Sequence, residues 1–324
     1  MMQSPQTAYN FKDIMLVPQL SEITSRNMID LSTEFLGTKF KLPLINSPMR
    51  TIVGSEMVKL FTDEQLMSIT HRFQTVDEQL NHMKHQRFKV CSVGISETWK
   101  NDICNVFSSC ADAINIDVAH GGNSKVADFV SWLKKAYPNI KIIAGNVVTP
   151  DAALTLVNPG ADAVRVGVGN GSACTTTNAS GHGYPQFSAI DDIAIAREQS
   201  SIKFGIIADG GMTDSGDIAK ALAAGADMAM VGSMLSGTKE TPGNVLLIDG
   251  IRKKQYDGSA SFETKMATLS PVRNIEGLAT IVHYKGEAYR VLGQINDGLN
   301  SALSYSGAQN LNEFRDKVEW VIIA

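Results

Sequence analysis

Eight short apolar runs separated by stretches of helical period limit most strongly what this chain can fold into. They are Leu42 to Ser47, Leu66 to Thr70, Phe88 to Val93, Ala113 to Val118, Ile140 to Gly145, Ala163 to Val168, Phe204 to Ala208 and Met228 to Gly232. The runs do not alternate polar and apolar residues, and a strand that is apolar throughout is one covered on both faces of a parallel sheet. The segments between them carry helix signals. From Asn123 to Tyr137, Val126, Phe129, Val130, Leu133 and Tyr137 share one face, and Pro138 stops the pattern. Thr149 supplies an N-cap hydroxyl ahead of Pro150, and Gly160 closes that helix. Ser215 to Ala224 turns Ile218 and Leu222 inward and ends at Gly225. Eight such units predict a (β/α)8 TIM barrel, an α/β fold whose site lies at the C-terminal ends of the strands. The competing open doubly wound sheet calls for a Gly-x-Gly-x-x-Gly turn near the start, which this chain lacks.

No linker rich in Pro, Gly or Ser divides the sequence, so residues 1–324 read as one barrel domain. Residues 1–41 form a leading arm, in which Pro18 confines the run before it to an edge or an extended segment. Residues 236–289, beyond the eighth run, are polar and poorly periodic. A long stretch of that kind in a compact domain is expected to be a lid over the site.

Bulk properties narrow the function classes. The net charge of −4, with 19% charged residues and no basic stripe, argues against a nucleic-acid partner. No apolar run approaches the roughly 20 residues of a membrane span, and the N-terminus has no signal-peptide pattern. Cys91, Cys104, Cys110 and Cys174 show no paired spacing of the zinc or redox kind, which suits a reducing, cytoplasmic setting.

The segment from Gly167 to Gln186 departs from every packing pattern. It reads Gly-Val-Gly-Asn-Gly-Ser-Ala-Cys-Thr-Thr-Thr-Asn-Ala-Ser-Gly-His-Gly-Tyr-Pro-Gln and follows the sixth run directly. Alternating glycines let a backbone turn tightly and aim its polar groups at a ligand. Cys174, flanked by hydroxyl residues, is therefore a candidate nucleophile and not an inert buried thiol.

This loop resembles that of the family of inosine monophosphate dehydrogenase and guanosine monophosphate reductase, Gly-x-Gly-x-Gly-Ser-x-Cys-Thr-Thr. Gly181 to Gln186 resembles the reductase branch, and other matching stretches extend the likeness over nearly the whole chain. The resemblance implies NADPH-dependent reductive deamination of a purine nucleoside 5′-monophosphate, GMP to IMP plus ammonia, through a thioimidate on Cys174. Thr176 and Glu276 would manage protons. Ser172, Gly211, Gly232 and Ser233 would hold the phosphate and Asp209 the ribose, with Met49, Gly210, Tyr256, Gly258 and Arg273 beside the nucleotide. Asp117, His120, Asn146 and Arg165 would receive the nicotinamide. The carbonyls of Gly169, Gly171 and Cys174 match ligands of a monovalent cation, K+, and the family assembles as homotetramers. Two alternatives stand beside this reading: NAD-dependent oxidation of IMP, and a catalytically silent nucleotide-binding barrel.

Four features bear on the choice. The regulatory module often inserted after the second strand in the dehydrogenase is absent, since Thr70-His71-Arg72-Phe73 runs straight on. No Arg-Tyr pair of the kind that activates water lies between Gly258 and Glu276. His120 in Asp-Val-Ala-His-Gly, by contrast, resembles the dehydrogenase. Finally, Arg50 replaces the aspartate of Met-Asp-Thr, while Ala260 and Ile275 replace hydroxyl residues near the purine, so a more apolar and less selective base pocket with altered charge is expected. A modified or deoxyribosyl purine monophosphate is then a candidate substrate.

Overall fold

The computed structural model describes residues 7–267 and 275–323. Fourteen strands appear in chain order among these residues. In the leading arm are β1 (Ile14–Val17), β2 (Thr33–Phe35) and β3 (Thr38–Phe40). The barrel consists of β4 (Leu44–Asn46), β5 (Val90–Val93), β6 (Ala113–Asp117), β7 (Lys141–Val147), β8 (Ala163–Val166), β9 (Gly205–Asp209) and β10 (Met228–Val231). Later come β11 (Leu246–Ile248), β12 (Ile251–Asp257), β13 (Ala279–His283) and β14 (Glu319–Ile322).

Seven of the eight apolar runs build one parallel sheet in the order β4-β10-β9-β8-β7-β6-β5. The second run, 66–70, closes the ring between β4 and β5 without becoming a full ladder strand. Met67 bridges Ile45, and the Thr70 amide donates to the Val90 carbonyl at 3.3 Å. Side chains supply the remaining rungs. The Asn46 amide group donates to Ile69 O at 2.8 Å and its oxygen accepts from Ile69 N at 3.2 Å, while Ser92 Oγ donates to Thr70 O. Buried backbone groups must be paired by something, and here the side chains of Asn46 and Ser92 replace a neighbouring strand. The structure is thus the (β/α)8 barrel expected.

Each of the three helices read from the sequence starts at a residue whose side chain caps it, as expected for Thr149. Asn123 Oδ1 accepts from Lys125 N at 2.9 Å ahead of Ser124–Ala136, and Thr149 Oγ1 accepts from Ala152 N at 3.4 Å ahead of Pro150–Val157. Val126, Phe129, Val130 and Leu133 are all buried against the sheet. Asp214, one residue before the predicted start, caps Ser215–Ala223.

The leading arm closes the end of the barrel remote from the site. β2 and β3 form a hairpin over Leu36 and Gly37, both at positive φ, and its Phe35 and Phe40 pack with the inward residues Ile45, Val90, Ile143 and Ile207. Gly205 is required there, because a Cβ on it would lie 2.4 Å from the Phe35 ring. β1 pairs antiparallel with β14, which ties the arm to the end of the chain.

The stretch after the eighth run, poorly periodic in sequence, carries regular structure. β11, β12 and β13 form a three-stranded antiparallel sheet, with the helix Phe262–Ala267 between β12 and β13. Asp249 and Gly250, both at positive φ, make the two-residue turn between β11 and β12, the geometry that an Asp-Gly hairpin favours. Its tip is exposed and its base buried at Lys254, Tyr256 and Asp257. The Lys254 ammonium there donates to the carbonyls of Thr238 and Thr241.

Candidate active site

One cavity opens at the C-terminal ends of the barrel strands. Its walls come from the turn after β4 (Ser47 to Met49), the loop after β8 (Gly167 to Cys174, with Thr176), the turns after β9 and β10 (Asp209 to Met212, Gly232 and Ser233), and the base of the three-stranded excursion (Tyr256, Gly258 to Ala260, Glu276 and Gly277).

The Cys174 loop is sewn to the excursion by its backbone. Thr175 N donates to Glu276 O and Leu278 N to Ala173 O, both at 2.9 Å. Gly258 leaves no room for a side chain, since a Cβ on it would lie 2.6 Å from Ala173 O. This pairing brings three distant side chains into a line. The half-buried Cys174 thiol donates to Thr176 Oγ1 at 3.3 Å, and the Thr176 hydroxyl donates to Glu276 Oε2 at 2.8 Å. Behind the loop, Gln186 is buried and accepts from Asn170 Nδ2 at 2.8 Å while donating to Val166 O at 2.7 Å.

The turn after β9 places Gly210 and Gly211 in succession at φ +95 and +80. Backbone amides left without a protein partner in such a turn are available to an anion. Among the described residues, the amides of Gly210, Gly211, Gly232 and Ser233 make no hydrogen bond. Ser172 Oγ and Tyr256 Oη, 3.3 Å apart, add hydroxyls to the same cavity. Burial raises the Tyr256 phenol above its ordinary pKa, so it acts as a neutral donor.

A chain of charges runs from this end of the cavity to the other. Arg165 Nη2 meets Asp209 Oδ2 at 2.7 Å and Arg165 Nη1 meets Asp117 Oδ1 at 2.6 Å, with the arginine only 5% exposed. Arg72 Nε holds the second oxygen of Asp117 at 3.2 Å. Burial alone would raise the Asp117 carboxyl, but the two guanidinium groups outweigh it and hold it below the usual carboxylate range. Burial likewise opposes the charge of Arg165, and its two carboxylates reverse this and raise its pKa. Asn146 Nδ2 donates to Asp209 Oδ2 at 2.9 Å and to Gly167 O at 2.7 Å, which puts Asn146 on the Asp209 side of the network. Asp209 Oδ1 keeps no partner among the described residues.

The structure therefore gathers Cys174, Thr176, Glu276, Ser172, Asp209, Gly210, Gly211, Gly232, Ser233, Tyr256, Gly258, Met49, Asp117, Asn146 and Arg165 around one cavity. Gly169 and Gly171 line it as well, and the Gly171 carbonyl accepts from Cys174 N at 2.9 Å. His120 is exposed and does not line it. Arg273 lies outside the described residues.

The expected reshaping of the base pocket needs correction. Ala260 lines the cavity, but Ile275 is 44% exposed and turned away from it. Arg50 pairs with Asp257 and does not face the cavity. Sequence reasoning passed over Arg72 and Phe73, which line the far end with the guanidinium 4.5 Å above the ring. The His-Arg-Phe after the second run carried that signal, because a basic residue at a strand end faces the site of a barrel.

Comparison with known proteins agrees with this geometry. The family described as IMP dehydrogenase / GMP reductase domain matches residues 8–324. A GMP reductase of Levilactobacillus brevis is 37% identical, covering 98% of this chain and 96% of its own length. A GMP reductase of Lactobacillus acidophilus is 36% identical, with 98% and 95% covered, and one of Staphylococcus saprophyticus is 34% identical, with 97% and 95% covered. The chain belongs to the IMP dehydrogenase / GMP reductase family of oxidoreductases.

Proposed function

We propose that this enzyme reduces GMP to IMP, releasing ammonia and consuming NADPH. The observation that carries the reading is the Cys174–Thr176–Glu276 line of hydrogen bonds at 3.3 and 2.8 Å. A thiol is a poor nucleophile until its proton has somewhere to go. Here the proton passes through Thr176 toward the Glu276 carboxylate as sulfur bonds to carbon 2 of the purine. The same line returns a proton to the 2-amino group, so that ammonia leaves and a thioimidate remains on Cys174. A reduced nicotinamide bound beside the purine would supply the hydride that carbon 2 needs; the carbon–sulfur bond then breaks, and Thr176 and Glu276 pass a proton taken up from solvent to the Cys174 thiolate.

The amides of Gly210, Gly211, Gly232 and Ser233 suit the 5′-phosphate, and Ser172 adds a donor. Asp209, with Oδ2 held by Arg165 and Asn146, keeps Oδ1 to accept a ribose hydroxyl. At the far end Arg72, Phe73, Asp117, Val118 and Ala119 line the cavity with one aromatic face and fixed charges, an environment that fits a flat carboxamide-bearing ring. His120, exposed and outside the cavity lining, has no part in this reading. The carbonyls of Gly169, Gly171 and Cys174 can contribute to a K+ site, although they are fewer than the six or more oxygens that hard cations such as calcium take, and none of the steps above requires it.

Only Ala260 of the three departures reaches the cavity, and Ser259 beside it keeps a hydroxyl there. The proposal therefore names GMP as the substrate, with a selectivity ratio lowered at the purine edge, where Ala260 offers no polar contact, and kept at the ribose, where Asp209 accepts a hydroxyl. Competition among GMP, dGMP, IMP and XMP reads that ratio directly.

A homotetramer in the cytoplasm completes the proposal. Four free cysteines suit a reducing compartment, and exposed Leu247, Ile251, Leu278, Ile281, Trp320 and Val321 give apolar surface to cover. Light scattering at the mass of one 35.0 kDa chain would refute the assembly. The reaction itself is tested by product analysis: one ammonia and one IMP should appear per GMP consumed, and appearance of XMP from IMP would reverse the assignment.

A further inference from the structure

Arg50 stands where the resembled family carries an aspartate, yet no free charge results. Its Nη2 lies 2.5 Å from Asp257 Oδ2, and the Asp257 side chain is 0% exposed against 31% for Arg50. Thr51, the next residue, accepts the Asp257 amide on Oγ1 at 3.0 Å. Gln255 Nε2 completes the carboxylate's partners at 2.9 Å. The turn after β4 thus grips the last residue of β12 by side chain and backbone together. Tyr256 and Gly258, on either side of Asp257, both line the nucleotide cavity.

We propose that the Arg50–Asp257 pair is a latch that pins the three-stranded excursion to the barrel rim and so positions Tyr256 and Gly258 against the nucleotide. A buried carboxylate that loses its cation is strongly disfavoured unless it reaches water. Lifting the end of β12 would bring Asp257 to water and would take the Tyr256 hydroxyl off Ser172. The far end of β12 is already exposed at Ile251 and Arg252, so the release is local to the excursion. Arg50 and Asp257 are positioning residues, since neither lines the cavity.

The role assigned to the pair rests on reading the cavity as a nucleotide site, so two independent readouts are used: hydrogen exchange of the ligand-free enzyme and steady-state kinetics. In Arg50→Gln and in the isosteric Asp257→Asn, residues 251–258 should exchange about tenfold faster than in the wild type while β6 to β9 stay unchanged. KM for GMP should rise about tenfold with kcat within about threefold. The double variant should be no worse than the worse single one, because the second substitution removes a group already without its partner. Unchanged exchange at 251–258, equal acceleration in the barrel strands, or effects that simply add in the double variant would each overturn the latch. Absence of turnover in the wild type would instead overturn the functional reading, and the exchange result would still decide the latch.

Discussion

The Thr176 hydroxyl donates to Glu276 Oε2 at 2.8 Å across 100 positions of the chain. The contact exists because the Cys174 loop and the return of the excursion pair through Thr175 N to Glu276 O. If the pair moves protons, Thr176→Ala and Glu276→Gln should each lower kcat by about a hundredfold or more while leaving KM for GMP within a few-fold. The double variant should lose little more than the worse single one. A large rise in KM with kcat preserved would make the pair a binding contact.

Cys174→Ala should leave the fold and nucleotide binding intact and remove turnover by several orders of magnitude, as loss of a nucleophile does. Calorimetric titration with GMP and a rate assay on the same preparation separate the two effects. Retention of more than about a tenth of the rate would exclude a covalent step.

Ser233→Glu puts a carboxylate beside the amides that would hold the phosphate. Like charges should raise KM for GMP by about tenfold or more and steepen its dependence on salt. An unchanged KM would move the phosphate elsewhere in the cavity.

His71 gives the protein a specific acid sensitivity. Burial first, with help from His82 and Arg50, lowers its pKa from 6.5 to about 4, and its Nδ1 accepts from Phe73 N at 3.1 Å. A folded-state pKa below the unfolded one means that the unfolded chain binds the proton more readily, so stability is full above 6.5 and falls as the pH drops toward about 4. The loss over that window is about 3 kcal/mol. Urea midpoints measured at both ends should show it, and His71→Gln should flatten the slope. An equal slope in the variant would assign the effect to other groups.

The barrel was legible because each buried parallel strand must be apolar throughout, and the cap at Thr149 must precede its helix. The Cys174 loop was legible for the opposite reason, since no packing demand explains it. Three things were hidden. The second strand depends on Asn46 and Ser92 side chains from its neighbours, and no local pattern records such long-range bonds. The strands of the excursion escape a local reading because the longest of them, Ile251–Asp257, carries Arg252, Lys253, Lys254 and Gln255 in place of an apolar run, although the Asp249-Gly250 turn is a hairpin signal. Arg50 read as a charge facing the nucleotide, because its partner lies 207 positions away.

The central claim is that hydride flows from the nicotinamide to the purine. The most direct measurement is the near-ultraviolet absorbance of the reduced cofactor, followed with the purified enzyme in both directions. The account predicts a fall with GMP and NADPH that depends on Cys174, with no change on adding IMP and NAD. A rise with IMP and NAD, and none of the expected fall with GMP and NADPH, would contradict it.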